Sequence, residues 1–169
     1  MDKILNIGNK KSTLKILKEF KNTEHSPFDV KITNSHITEL NKIIGKKIFK
    51  KDSLYISSKT LWEIMQPVGG FGRHHYHGLT PENIYESLST LHKSRNIIPS
   101  YDNRYLVITL AMVYTNIPLV IIIEPNGIVA NKETTVSKII TIYPYNKKWE
   151  PKGAFAHAVD SLPLVLVPS

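Results

Sequence analysis

Apolar residues recur at helical spacing in the first half of the chain and at strand spacing in the second half. Three short amphipathic helices are predicted in the first half, at residues 13–21, 35–45 and 58–66. Ser12 is a candidate cap of the first helix, Gly45 ends the second, and Pro67 ends the third. Residues 54–56 lie between the second and third helices and predict a short strand.

A fourth helix has the clearest start signal in the chain. Thr80 is a typical N-cap, Pro81 suits the first helical position, and Leu79 can pack on Ile84 as a hydrophobic staple. We expect this helix to run to about His92.

The second half of the chain is rich in Val, Ile, Thr and Tyr, which favour strands. Three strands are predicted there, at residues 106–113, 119–123 and 136–143. Residues 116–118 and 125–127 are read as their connections, and such short links suit antiparallel neighbours. The pattern therefore predicts an α+β fold, with N-terminal helices packed on an antiparallel β-meander of about four strands.

Three regions follow from this order of elements. They are a basic helical N-terminal region at residues 1–48, an α+β core at 49–146, and a C-terminal tail at 147–169. The tail holds an apolar run at residues 162–167 that we expect to pack on or beside the core.

Composition and sequence pattern argue against several classes of protein. A chain of 169 residues has the size of one domain, and its most apolar stretch, 106–123, is interrupted by polar residues, so no membrane span is predicted. The start at Met1 lacks the apolar core of a secretory signal, which favours a soluble, cytoplasmic protein, with delivery into a target cell as an alternative. The absence of cysteine excludes disulfides, thiol nucleophiles and thiolate zinc sites.

Positive charge is concentrated in the first third. The net charge is +8, and residues 1–60 carry 13 lysines against 6 acids, whereas residues 61–169 carry 9 basic residues against 8 acids. Lysines of the first helix are candidate phosphate contacts, namely Lys10, Lys11, Lys15 and Lys18. Such a segment can attract nucleic acid, or it can be the solvated face of ordinary helices.

A histidine-rich loop precedes the fourth helix and is the densest group of side chains that titrate near neutral pH. Its residues are Arg73, His74, His75, Tyr76 and His77. The loop can be a metal site, a plain polar surface loop or a catalytic loop. The metal reading lacks a carboxylate or a distant histidine at motif spacing, so no metal and no cofactor are expected there. In the catalytic reading an imidazole moves a proton while Arg73 and free helix amides hold an anion.

The third predicted strand carries further polar side chains. Thr141 and Tyr143 share one face of that strand and Lys138 lies on the other, provided that the pairing is regular. A β-bulge would change this assignment. These residues either belong to a solvent-facing strand or line an active surface.

The order of several short segments resembles the phage-associated nuclease toxins of the barnase, EndoU, colicin and RelE superfamily, known as the BECR fold. The segments run from residue 54 to residue 143: Leu54-Tyr55-Ile56-Ser57, a helix, Arg73-His74, the helix at 80–92, a connector ending in Ile97-Ile98-Pro99, hydrophobic strands, and Lys138-Ile139-Ile140-Thr141-Ile142-Tyr143. The resemblance covers roughly residues 50–146.

This resemblance implies a metal-independent ribonuclease of toxin type. By position, His74 would transfer the proton, Arg73 would bind phosphate, and Thr141 would match the hydroxyl residue of the last strand motif. His75 and His77 have no firm counterpart. Where the family often has a further histidine, on the helix before Arg-His, this chain has Trp62 and Glu63.

Three hypotheses follow. The first is an endoribonuclease that makes a 2',3'-cyclic phosphate, with His74 and either His77 or His75 as the acid/base pair, and with RNA, for example tRNA, and a cognate immunity protein or antitoxin as partners. The second is a non-catalytic module from a phage or mobile element that binds nucleic acid or protein. The third is a metal-dependent hydrolase.

Overall fold

The chain folds around one mixed β-sheet. The structure, a computed structural model, describes residues 3–69, 75–94, 96–127 and 136–145. Its strands in these ranges are β1 (Ile4–Asn6), β2 (Asp29–Thr33), β3 (Ser53–Ser57), β4 (Asn96–Pro99), β5 (Tyr105–Val113), β6 (Ile117–Gly127) and β7 (Val136–Pro144). The helices are α1 (Lys10–Asn22), α2 (Leu40–Ile44), α3 (Ser58–Met65) and α4 (Pro81–Ser89). No helix in these ranges has the length and apolar character needed to cross a bilayer.

The sheet is larger than the predicted meander. The expected combination of helices and strands is confirmed, but in the described residues the sheet has seven strands, in the order β1-β2-β3-β7-β6-β5-β4. Strands β4 to β7 form the antiparallel meander, whereas β1 pairs with β2 and β3 pairs with β7 in parallel. An antiparallel meander of four strands is therefore present, as predicted, but it is only part of a mixed sheet. The first third of the chain adds three strands, and α1 is the crossover that the parallel β1–β2 pair requires.

The main core lies between the sheet and the helices. Alternate residues of β2 point into it, because Val30 and Ile32 are fully buried while Lys31 between them is half-buried. Phe20 of α1 and Leu61 of α3 are also fully buried in this core. A smaller apolar cluster lies on the other face of β5 and β6, formed by Leu106, Ile108, Val120 and Ile122.

Local capping sets where the helices begin. Asn9, not Ser12, caps α1, and its Oδ1 accepts a hydrogen bond from the Ser12 N–H at 3.1 Å. The start predicted for α4 is confirmed as a capping box, in which Thr80 and Asn83 exchange two hydrogen bonds of 3.0 Å. Gly45 ends α2 in the left-handed conformation, as predicted.

Several predicted boundaries in the second half are wrong. Helix α4 ends at Ser89, and His92 belongs to a separate 3₁₀ helix, Leu91–Lys93. Residues 97–99, read as part of a connector, belong to β4, and residues 125–127 belong to β6. The apolar run at residues 162–167 lies outside the described residues.

A bulge in β7 changes which side chains share a face. Thr141 pairs with Ile122, but the next pair joins Ile139 to Ile123, so the register shifts by one residue. Lys138 pairs with Glu124 beyond the shift. Partners in a ladder lie on the same face, so Lys138 and Thr141 both lie on the face opposite the helices. The regular-pairing assignment of Lys138 to the other face is therefore wrong.

Candidate functional site

The histidine loop is closed at its base by two backbone hydrogen bonds. The Gly78 N–H donates to the Gln66 carbonyl at 2.7 Å, and the Leu79 N–H donates to the Ile64 carbonyl at 3.0 Å. Gly78 has a φ of +64°, a conformation that favours glycine. These bonds join the end of α3 to the segment before α4, so the two ends of the loop lie next to each other.

The loop residues that the structure describes are His75, Tyr76 and His77. Arg73 and His74, which sequence reasoning favoured, lie outside the described residues. His75 is exposed. Tyr76 is half-buried and meets Trp62 of α3 edge to face, with ring centroids 5.6 Å apart. This contact ties the loop to α3.

His77 brings the loop to the last strand of the sheet. Its ring lies 6.0 Å from the ring of Tyr143 on β7. The approach is possible because β3 pairs with β7 at Lys138 and Ile139 and then ends at Ser57, where the chain turns into α3. Two residues predicted separately, His77 and Tyr143, are therefore neighbours.

His77 is unprotonated at neutral pH. Burial of the ring, and to a smaller extent the neighbouring positive charge of His75, together lower the pKa of His77 from 6.5 to about 4. Removing a charged imidazole from water is unfavourable, so the neutral form is preferred. Neutral imidazole can accept a proton, and it donates one poorly at pH 7.

The remaining predicted residues of β7 differ in their surroundings. Thr141 is half-buried on the same strand as Tyr143. Lys138 forms an ion pair with Asp29 of β2, with Nζ and Oδ1 3.8 Å apart. Tyr143 lies five positions after Lys138 along the strand, a distance of about 16 Å. Lys138 is therefore distant from the point where His77 reaches β7.

Helix α1 presents a lysine-rich surface, and its C-terminal end is bonded to the base of the loop. It carries five lysines and one glutamate, and Lys11, Lys15 and Lys18 recur at helical spacing and are exposed. Lys10 is also exposed, and its Nζ lies 5.5 Å from the ring of Tyr85 on α4. Gln66 at the base of the loop donates to the carbonyl of Lys21 at 3.0 Å, which anchors the end of α1 there.

Sequence reasoning missed a second group of titratable side chains. His36, Glu39 and His92 each place one potential metal-ligand atom within 4.8 Å of the others. The i, i+3 spacing of His36 and Glu39 is a weak signal in the sequence, but nothing in the spacing indicates that His92 joins them.

Comparison with protein-family models, curated proteins and solved structures finds no match for this chain.

Proposed function

We propose that the chain is a metal-independent endoribonuclease of toxin type, with its reaction centre where the histidine loop meets β7. The observation that carries the proposal is the contact between His77 and Tyr143. It joins an imidazole of the loop to a polar side chain of the last strand, as expected for a site built from these two segments.

The proposed reaction divides proton transfer between two histidines. Neutral His77 accepts the proton of a ribose 2'-hydroxyl, whose oxygen attacks the adjacent phosphorus. The bond to the 5'-oxygen breaks, and protonated His74 donates a proton to that oxygen. The products are a 2',3'-cyclic phosphate and a 5'-hydroxyl. A bound phosphate favours the charged imidazole, so the pKa of His77 rises from about 4 towards neutrality when RNA binds.

Substrate binding would use the basic surface of α1. Lys11, Lys15 and Lys18 lie on the helix whose C-terminal end is tied to the base of the loop through Gln66. Arg73 is proposed as a phosphate contact by position. Lys138 is a weaker candidate than the α1 lysines, because Asp29 neutralises part of its charge.

The test is cleavage of total RNA and of tRNA by the pure chain, with and without EDTA, followed by sequencing of the cut ends. Cleavage should survive EDTA and leave 5'-hydroxyl ends. His77→Ala and His74→Ala should each lower the rate by roughly 10²- to 10⁴-fold. His25→Gln is the control, since His25 packs with Phe20 and Phe28. Cleavage that stops in EDTA, or rates that are equal in all variants, would refute the proposal.

A non-catalytic nucleic-acid-binding module is the second candidate, favoured by the lysines of α1. Charge reversal at Lys11, Lys15 and Lys18 should then weaken RNA binding and reduce its salt dependence, because each lost phosphate contact lowers the slope by about 0.7 to 0.9. The matched control reverses Lys42, Lys46 and Lys47, which are exposed at the end of α2. Equal losses in both triple variants would show that net charge, not the α1 surface, governs binding.

A further inference from the structure

The group formed by His36, Glu39 and His92 lies at the opposite end of α4 from the histidine loop. His77 precedes α4, whereas His92 follows it, and a helix of nine residues spans about 13 Å. The group is therefore distinct from the proposed ribonuclease centre.

Two short 3₁₀ helices place its side chains. His36 is the N-cap of the 3₁₀ helix Ile37–Glu39, and the Glu39 N–H donates to the His36 carbonyl at 3.1 Å. Side chains three residues apart eclipse each other in such a helix, so His36 and Glu39 project in the same direction. His92 lies in the 3₁₀ helix Leu91–Lys93 and stacks on His36, with ring centroids 4.4 Å apart.

A buried asparagine holds these two segments together. The Asn34 side chain donates from Nδ2 to the Leu88 carbonyl of α4 at 2.9 Å, and its Oδ1 accepts from the His36 N–H at 3.0 Å. Asn34 is 6% exposed. The group is thus supported by the fold and does not depend on flexible surface side chains alone.

The polar atoms of the group converge, and one of them has no partner among the others. His36 Nδ1 lies 2.6 Å from Glu39 Oε2, so these two atoms pair with each other. His92 Nδ1, by contrast, is buried without a hydrogen-bond partner within the described part of the chain. Buried polar atoms normally have partners, so His92 Nδ1 beside a histidine–glutamate pair indicates that a ligand completes the group.

We propose that His36, Glu39 and His92 form a binding site for a divalent transition-metal ion, with zinc as the best match. Two imidazoles and one carboxylate are ligands that zinc accepts, with bonds of about 2.0 to 2.2 Å. Tetrahedral donors then lie about 3.4 Å apart. The separations of 2.6 Å and up to 4.8 Å bracket that value, so small side-chain rotations complete the site. Three ligands leave a fourth position for water, and the ion would link the segment before α2 to the segment after α4.

The test uses the untagged full-length chain, stripped with a chelator and titrated with Zn²⁺ and Co²⁺ by calorimetry. We expect one ion per chain, a raised melting temperature on loading, and no comparable binding of Mg²⁺. Loss of a residue that supports a metal ligand typically weakens metal binding by roughly 10- to 100-fold. Glu39→Gln and His92→Gln each change a ligand itself, so each should weaken Zn²⁺ binding by more than this.

The matched control is the double variant His75→Gln and His77→Gln, which removes two imidazoles from the histidine loop and should leave metal binding unchanged. Loss of binding in that variant, with retention in Glu39→Gln, would overturn the proposal. Failure of the unaltered chain to bind Zn²⁺ or Co²⁺ would also overturn it, and that result does not depend on whether any variant folds.

Discussion

His77 combines a half-buried position with a ring contact to the last strand of the sheet. It belongs to the loop between α3 and α4, and its ring approaches Tyr143 of β7. Its pKa is lowered chiefly because burial disfavours the charged imidazole. The same burial that keeps His77 neutral at pH 7 therefore makes folding sensitive to acid.

The pH dependence of stability should reveal this coupling. Between the pKa of 6.5 in the unfolded chain and about 4 in the folded chain, the unfolded state binds more protons. The free energy of unfolding is at its full value above pH 6.5. It should fall by about 1 to 2 kcal/mol on acidification towards pH 4, after allowance for screening of the half-buried ring by solvent. Urea unfolding at several pH values measures this loss, and His77→Gln should reduce it. If acidification destabilises His77→Gln as much as the unaltered chain, other titratable groups cause the loss.

Asn41 shows how one polar side chain organises a segment without regular structure. Its Nδ2 donates to the Phe49 carbonyl at 2.7 Å, and its Oδ1 accepts from the N–H groups of Ile48 and Phe49, each at 2.8 Å. We expect Asn41→Ala to lower the free energy of unfolding by about 1 to 3 kcal/mol, because it leaves backbone groups without partners. The neighbouring Lys42→Ala, at an exposed position, is the control and should change little. Denaturant titration compares the two variants.

Helix α1 illustrates how a cap is selected among adjacent candidates. Asn9 and Ser12 are both residue types found at N-caps, but Asn9 has the extended backbone of a cap and Ser12 lies inside the first turn. Because Asn9 is the cap, Lys10 and Lys11 belong to the first turn of the helix.

Two alanine variants separate the candidates. Asn9→Ala should destabilise the protein by about 1 kcal/mol, because the Ser12 N–H loses its acceptor. Ser12→Ala should be neutral or slightly stabilising, since alanine has the higher helix propensity. Thermal unfolding followed by circular dichroism measures both effects. A larger loss for Ser12→Ala would mean that the helix begins three residues later.

The contact between β3 and β7 joins the two parts of the sheet. Strands β1 to β3 come from the first third of the chain and β4 to β7 from the rest, and the parallel pairs Tyr55–Lys138 and Ile56–Ile139 connect them. Ile56 and Ile139 are buried at this seam. The two parts of the sheet should therefore unfold together.

Truncation at the seam tests this cooperativity. Ile139→Ala should lower the free energy of unfolding by about 2 to 5 kcal/mol, the usual cost of removing a buried isoleucine side chain. Amide exchange of β2 and β6 should accelerate together. Ile4→Ala, at a position that is 49% exposed, is the control and should have little effect. Faster exchange confined to β6 would contradict a single cooperative sheet.

Local chemistry explains the parts of this protein that can be predicted from its sequence. The capping box at Thr80 and Asn83, the glycine end of α2 and the three strands after residue 104 depend on neighbouring residues, so their patterns are visible in the chain. Other features depend on pairing between distant segments. Strand β1 has only three residues, which is too short for a recognisable pattern. The bulge that puts Lys138 and Thr141 on the same face is a property of the pairing between β7 and β6.

The two candidate sites show the same division. The histidine loop is conspicuous because its residues are adjacent in sequence, but its contact with Tyr143 requires β3 to end early and leave room beside β7. His36 and Glu39 meet His92 because Asn34 holds their segment against the end of α4. Residue types and local spacing therefore specified the helices, most of the strands and the chemically rich loop. Long-range pairing decided the size of the sheet and which titratable side chains came together, since such contacts depend on the packing of the whole chain.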